Sequence, residues 1–338
     1  MFNSVSDSPP DAPPIHTTIL SLPAEITTRI ALELADVPSA LAFARTARAL
    51  AGPADARIWR ELDVSISGVL PPENEVGMPD AHQVAIQAKV DAILAVMDER
   101  RASLVRRIRL VPTGAAEGMV SILRAASAKL ESLAIEAHHA DDPLWFTHLP
   151  SDEGHLDRAL LRTTLPFPSL THLVLGPESF RFAELVPVLV NASPNLTHLS
   201  VDITVTESYP THVPPVSRTK LQYIRFRFGD VNMLFDSVSR LIDVIGQSPN
   251  LRSLWLCYEP FASLDSREVY KLIFAALGKC GRLEELIWAG VPWALTEYMN
   301  AGVKPGQVAL FGGLKRILWR LQTLETASSR LDEADNAG

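Results

Sequence analysis

Leu196-Thr197-His198-Leu199-Ser200-Val201 places three apolar residues in the pattern L-x-x-L-x-L. With other apolar residues allowed, the pattern occurs eight times. The other matches are Val105-Ile108-Leu110, Leu130-Leu133-Ile135, Leu170-Leu173-Leu175, Leu221-Ile224-Phe226, Leu251-Leu254-Leu256, Leu283-Leu286-Trp288 and Leu314-Ile317-Trp319. Successive starts lie 25, 40, 26, 25, 30, 32 and 31 residues apart. The lead-in recurs too: Ser193-Pro194-Asn195 and Ser248-Pro249-Asn250 each precede the leucine, and Phe167-Pro168-Ser169 is similar. Such a period is the signature of stacked supersecondary units.

Side chains two apart on a strand share a face, so the fourth and sixth positions of each match point inward. The third, fifth and seventh point outward. Between the matches run helical patterns: Phe182, Leu185, Val186 and Leu189; Leu234, Val238, Leu241 and Ile245; Val269, Leu272, Ile273 and Ala276. Each follows, or nearly follows, the i, i+3, i+4, i+7 spacing of one helix face. A single strand–helix unit cannot bury its apolar side alone, but stacked units enclose a continuous core. The expected fold class is α/β, with up to eight parallel strands in a row and helices on the outer side. A helix over 81–102, carrying Val90, Ile93, Leu94 and Met97, is expected to begin the row.

This pattern resembles a leucine-rich repeat solenoid over roughly 220 residues. Common members of that family carry Asn or Cys three residues after the third apolar position. Here those places hold Thr113, His138, Glu178, Thr204, Gly229, Glu259, Val291 and Gln322. An asparagine ladder is therefore not expected, and irregular loops and uneven curvature are.

Three short helices precede the repeats. Ser21-Leu22-Pro23-Ala24-Glu25-Ile26 opens the first, with Pro23 in the first turn, where a missing N–H costs nothing. Ile26, Ile30 and Leu34 follow on one face. Asp36-Val37-Pro38 restarts the chain into a second helix with Leu41, Phe43, Ala47 and Leu50. Gly52-Pro53 breaks it before a third with Ile58, Trp59 and Leu62. So small a core usually needs a partner or an adjoining domain.

Leu22, Pro23, Glu25, Ile26, Ile30, Leu34, Leu41 and Trp59, with Trp59 36 residues after Pro23, resemble an F-box. The basic-aromatic element of the family's second helix is present only in part, as Arg45-Thr46-Ala47-Arg48. The chain as a whole is similar to fungal-type F-box proteins with C-terminal leucine-rich repeats. That resemblance implies a non-catalytic subunit of an SCF-type ubiquitin ligase. Its F-box would bind the Skp-type adaptor of the cullin–RING ligase through Leu22, Pro23, Ile26, Ile30, Leu34 and Leu41, and its repeats would hold a protein substrate. It implies no enzyme activity and no cofactor. The expected organisation is a disordered tail over 1–17, the F-box over 18–64, a linker over 65–80, the solenoid over 81–322 and an acidic tail over 323–338. Two alternatives stand beside it: that 22–62 is only a helical cap on the first repeat, and that the chain is a leucine-rich repeat scaffold or binding module with no ligase role.

Composition fits a folded protein that works by contact. Apolar residues make up 47% of the 338, against 21% charged, which excludes wholesale disorder. A net charge of −8 argues against a general nucleic-acid or membrane-surface binder. Met1 to Ile15 has neither the basic start nor the apolar run of a signal peptide. No stretch reaches the ~18 apolar residues of a membrane helix. A cytoplasmic or nuclear location is expected, and the sequons at Asn191 and Asn195 read as chance matches. Two cysteines, Cys257 and Cys280, make no disulfide framework or thiolate zinc site, and no base for either is implied.

Two constellations call for a chemical reading. Between 136 and 157 the sequence gathers His138, His139, Asp141, Asp142, His148, Asp152, His155 and Asp157. It falls in the one 40-residue interval and matches no zinc spacing, so a solvated insertion loop is expected, with a metal site as the alternative. The other is the outward strand face. Six outward positions are arginine: Arg107, Arg109, Arg225, Arg227, Arg316 and Arg320; chance would give about two. Three are acidic: Glu136, Asp202 and Glu285. Tyr223 and Trp255 sit among the arginines, and His172 and His198 fill the same outward place in consecutive repeats, where a surface ladder is expected over metal chelation. Arginine suits forked recognition of carboxylate or phosphate, and Tyr and Trp make good anchors. The expected substrate-binding residues are therefore Arg107, Arg109, His172, His198, Tyr223, Arg225, Arg227, Trp255 and Arg316, for an acidic or phosphorylated protein segment. The alternative is that the arginines pair with carboxylates of the protein itself.

Overall fold

A computed structural model describes residues 19–64, 81–111, 115–136, 156–163, 165–176, 183–203, 214–228, 235–258, 266–289 and 316–320. The chain divides into two compact units, Met1–Arg60 and Glu61–Gly338.

The first unit is helical. A 3-10 turn, Ile19–Ser21, leads into α1 (Ala24–Leu32), followed by α2 (Val37–Thr46), a second 3-10 turn (Arg48–Leu50) and α3 (Ala51–Ile58). Pro23 stands at the N-cap of α1, one place earlier than the sequence suggests. The Asp36 side chain caps α2 by accepting from the Ser39 N–H at 2.7 Å, and these bonds hold its carboxyl below the usual range. Gly52-Pro53 does not break a helix: both lie inside the first turn of α3, where Pro is tolerated. The break comes earlier, at Ala47, which is fully extended. The buried positions include Thr27, Ala31, Ala40, Leu50, Ala54 and Trp59. Small residues at four of these let helices approach closely. Arg57 donates to the carbonyl oxygens of Leu34 and Ala35, at 3.1 and 3.4 Å, tying α3 to the chain just past α1.

The second unit is α/β with one parallel sheet. Its strands are β1 (Glu61–Asp63), β2 (Arg107–Leu110), β3 (Ser132–Ile135), β4 (His172–Leu175), β5 (His198–Ile203), β6 (Tyr223–Phe228), β7 (Ser253–Tyr258), β8 (Glu285–Ala289) and β9 (Arg316–Arg320). The nine strands of the described residues lie side by side in chain order, every pair parallel. The helices between them are α4 (Ala81–Val96), α5 (Glu99–Ala102), α6 (Ala116–Ala126), α7 (Leu156–Arg162), α8 (Leu185–Ala192), α9 (Phe235–Gly246) and α10 (Ser266–Leu277). From α6 to α10 each packs against the next in sequence. The arrangement is repeat-like, as the periodicity requires.

Several expectations need correction. The row has nine strands, not eight, because Glu61–Asp63 forms β1 rather than the end of a third helix. The helix expected over 81–102 is two, since Asp98 caps α5 by accepting from the Arg101 N–H at 2.7 Å. Asp157, placed by the sequence in a solvated loop, is buried in the first turn of α7. The rest of that segment, from His138 to His155, lies outside the described residues. So do the tail, the linker, the acidic C-terminus, and all eight positions from Thr113 to Gln322 where an asparagine ladder would stand.

The inward pattern holds throughout β2 to β7. Ile108 and Leu110, Leu133 and Ile135, Leu173 and Leu175, Leu199 and Val201, Ile224 and Phe226, and Leu254 and Leu256 are all buried. The first apolar position of each match, from Val105 to Leu283, is buried as well. Helices supply the rest of the core through Met119, Ile122, Leu123, Leu185, Val186, Leu189, Leu241 and Ile245, among others. Gly118 on α6 meets Val90 on α4 so closely that a Cβ there would collide with the valine.

The register is fixed by a backbone device that recurs at every step from β2 to β8. The Arg106 carbonyl accepts from the N–H groups of both Glu131 and Ser132, at 2.8 and 3.0 Å. Glu131 does the same for Thr171 and His172, Thr171 for Thr197 and His198, and Thr197 for Gln222 and Tyr223. Gln222 then serves Arg252 and Ser253, and Arg252 serves Glu284 and Glu285. Side chains add clips around β5: Asn191 bridges Pro215 and Ser217, and Asn195 donates to Pro168 and accepts from Lys220.

Phe226 has no accessible surface, so truncating its ring would leave a cavity in the core. Phe226→Ala should cost about 3–5 kcal/mol in urea unfolding. Ser200→Ala, on the opposite face of the neighbouring strand, should change stability by less than about 0.5 kcal/mol.

Candidate functional site

Strand alternation exposes one face of the sheet, and the exact register arranges it in columns. The third positions form one column: Glu61, Arg107, Ser132, His172, His198, Tyr223, Ser253, Glu285 and Arg316. The fifth positions form the next, including Asp63, Arg109, Ser200, Arg225 and Trp255.

In the first column the rings stack. His172 and His198 lie 4.2 Å apart at 10°, and His198 and Tyr223 lie 4.4 Å apart at 14°. Each histidine is oriented by the threonine before it. Thr171 Oγ1 donates to the Glu131 carbonyl at 3.0 Å and lies 2.9 Å from His172 Nδ1. Thr197 Oγ1 donates to the Thr171 carbonyl at 3.1 Å and lies 2.9 Å from His198 Nδ1. The two Thr–His contacts, repeated one strand apart, orient both rings alike in the stack. Among the described residues no group of three or more His, Cys, Asp or Glu could hold a metal.

The arginines divide. Arg107 pairs with Glu61 at 3.2 Å, Arg109 with Glu136 at 3.4 Å and Arg227 with Asp202 at 3.3 Å. The alternative reading, pairing within the protein, therefore holds for these three. Arg225 differs: its guanidinium lies 4.2 Å over the Trp255 ring, and among the described residues it forms no ion pair. Asp202 has one oxygen on Arg227 and the other, Oδ1, buried without a partner. Burial raises the Asp202 pKa, opposed by its bond to Arg227 and by the nearby charge of Arg225.

Of the expected substrate-binding residues, His172, His198, Tyr223, Arg225, Arg227 and Trp255 come together on β4 to β7. Arg107 and Arg109 do not join them: β2 lies four strands from β6, roughly 19 Å at the usual spacing. Arg316 stands three strands away on β9, beside Glu285. Cys257 follows Arg227 in an outward column yet is buried. Cys280 is buried too, its Sγ donating to the Ile245 carbonyl at 3.4 Å, and burial pushes its pKa up to about 11, far from a thiolate nucleophile.

Sequence reasoning missed Thr171, Thr197, Glu61 and the pairing role of Asp202. The Thr-His dipeptide recurring at the same two motif positions was the available signal for the threonines.

The helical unit carries a different surface. Ile26 is 44% exposed and Leu41 43%, and Pro23, three residues before Ile26, is exposed too. Leu22, Ile30 and Leu34 are half-buried. Ile19, Leu20 and Val37, not singled out by the sequence, are also exposed apolar residues of this unit. Five large aliphatics, Ile19, Leu20, Ile26, Val37 and Leu41, are thus exposed in this small unit.

No protein-family model matches the chain, and no curated protein matches it in sequence. No helix among the described residues is long and apolar enough to cross a membrane.

Burial, then the neighbouring His172, hold the His198 pKa below the ordinary 6.5. Below that pH the unfolded chain binds more protons at this site than the folded chain does. The stability lent by neutral His198 is therefore complete above pH 6.5 and is lost as the pH falls through the lower folded value. Thermal midpoints measured from pH 8 to pH 5 should drop for the natural sequence and drop less for His198→Gln. Thr197→Val, which removes the Oγ1 contact to Nδ1, should also shift the His198 ring signals in nitrogen-15 spectra.

Proposed function

We propose that this chain is a non-catalytic substrate-recognition subunit of an SCF-type ubiquitin ligase. Its first unit is an F-box that docks on the Skp-type adaptor, and its second is a leucine-rich repeat solenoid that presents the exposed sheet face to a protein substrate. The observation that carries the reading is the exposed aliphatic set on the helical unit: Ile26 and Leu41, with Pro23 exposed and Leu22, Ile30 and Leu34 half-buried, at the F-box positions. A small helical unit that leaves these residues in water gains by covering them with a partner. The parallel, sequential sheet supports a repeat domain, whose fixed core leaves the outward face free to diverge.

The second reading, a repeat scaffold with no ligase role, draws on α2. It ends at Thr46, inside the partial basic element Arg45-Thr46-Ala47-Arg48. Adaptor binding separates the two readings. Ile26 is more exposed than Ile30, so Ile26→Asp should leave the fold intact. In a complex it would bury an unpaired carboxylate, at about 3–5 kcal/mol, a loss of more than a hundredfold in affinity. Purified protein with and without Ile26→Asp, titrated with the Skp-type adaptor by calorimetry, should show that loss with an unchanged melting temperature. Absence of binding by the natural sequence would select the scaffold reading.

A further inference from the structure

Among the described residues, the exposed face between β4 and β7 carries one more arginine than carboxylates. Two guanidiniums, Arg225 and Arg227, stand near one carboxylate, Asp202, and only Arg227 bonds to it. The Arg225 guanidinium carbon lies 4.2 Å from the centre of the Trp255 ring, which restricts the side chain, and the residue is exposed. A preorganised guanidinium of this kind binds a carboxylate through paired N–H···O bonds. Phosphate sites gather several unpaired cations, and here Arg107, Arg109 and Arg227 are already committed to carboxylates.

Two residues earlier on the same strand, Tyr223 ends the ring stack, 42% exposed. The next residue in its column is Ser253, which is too small to cover a ring and donates to Glu285 at 2.8 Å. The outer face of Tyr223 is thus a planar platform beside the cation. Residues two apart on a strand project from one face about 6–7 Å apart. An extended peptide lying along β6 has the same spacing between its own alternate side chains.

We infer that this face binds an extended peptide segment carrying an aromatic residue and a carboxylate two positions apart, the ring on Tyr223 and the carboxylate on Arg225. The inference rests on the sheet face being the substrate surface of the proposed receptor, and it specifies the substrate class. The ligand needs only one negative charge. His172 and His198 extend the platform through their stacked rings.

The test uses the purified full chain and capped, fluorescein-labelled pentapeptides, read by anisotropy at neutral pH without the adaptor. Peptides centred on Phe-Ser-Glu and on Glu-Ser-Phe cover both chain directions. At least one should bind saturably. Replacing its Glu by Gln, or its Phe by Ala, should weaken binding about tenfold or more, the scale of losing a charge-assisted bond or a stacked ring. Arg225→Gln and Tyr223→Ala should each do the same from the protein side with melting temperature held, while Arg124→Gln on α6 should change nothing. Saturable binding lost in these variants supports the inference. No binding by either peptide overturns it, as does equal binding to Arg225→Gln. A phosphoserine in place of Glu that binds tenfold tighter overturns the carboxylate assignment. Each of these results is independent of the adaptor titration, so the peptide site and the ligase role fail or stand separately.

Discussion

A single kind of contact orders the second unit: one backbone carbonyl per step accepting two successive N–H groups from the next. From Arg106 to Arg252 it recurs six times, just ahead of each strand. It needs no particular side chain, because every residue brings a carbonyl and all but proline an N–H. Arg, Glu, Thr and Gln therefore fill the accepting position with equal effect. Once two adjacent N–H groups are fixed on one oxygen, the strand that follows has only one register. A slip of one residue would drive the leucines of positions four and six into water.

That constraint explains what the sequence made legible. The apolar spacing of Leu130-Leu133-Ile135 and its relatives could be read directly, because period two and a common frame are all that a parallel row demands. The outward columns followed from the same frame, so the spacing alone placed His172 and His198 side by side. β1 was hidden because its six-residue frame, Trp59-Arg60-Glu61-Leu62-Asp63-Val64, starts with tryptophan in place of leucine and sits among helical signals. Asp157 looked like one more solvated acid in a His/Asp-rich run, and nothing local announced that it would open α7.

Charge pairing was the least legible part. The excess of arginine on the outward face is genuine, but its meaning depends on which carboxylate lies in the adjacent column. Glu61 reaches Arg107 only because an unforeseen strand exists, and Glu136 reaches Arg109 from just past the end of β3. Exposed pairs like these contribute at most about 1 kcal/mol each, so they neutralise the face more than they hold it together. Arg225 stands apart because its neighbour across β7 is Trp255 rather than an acid. A single aromatic residue at that register position decides which arginine of the described face stands beside a ring instead of an acid.

The strictly sequential order of β1 to β9 also bears on how the chain is made. Every strand pairs with the one synthesised just before it, so no segment waits for a distant partner. Ribosomes deliver roughly 5–20 residues per second. With repeats a few tens of residues long, a fresh strand meets a finished edge every few seconds. Growth by addition to an edge tolerates a long interval as readily as a short one, which is how a 40-residue gap can sit among gaps near 25 without disturbing the columns on either side.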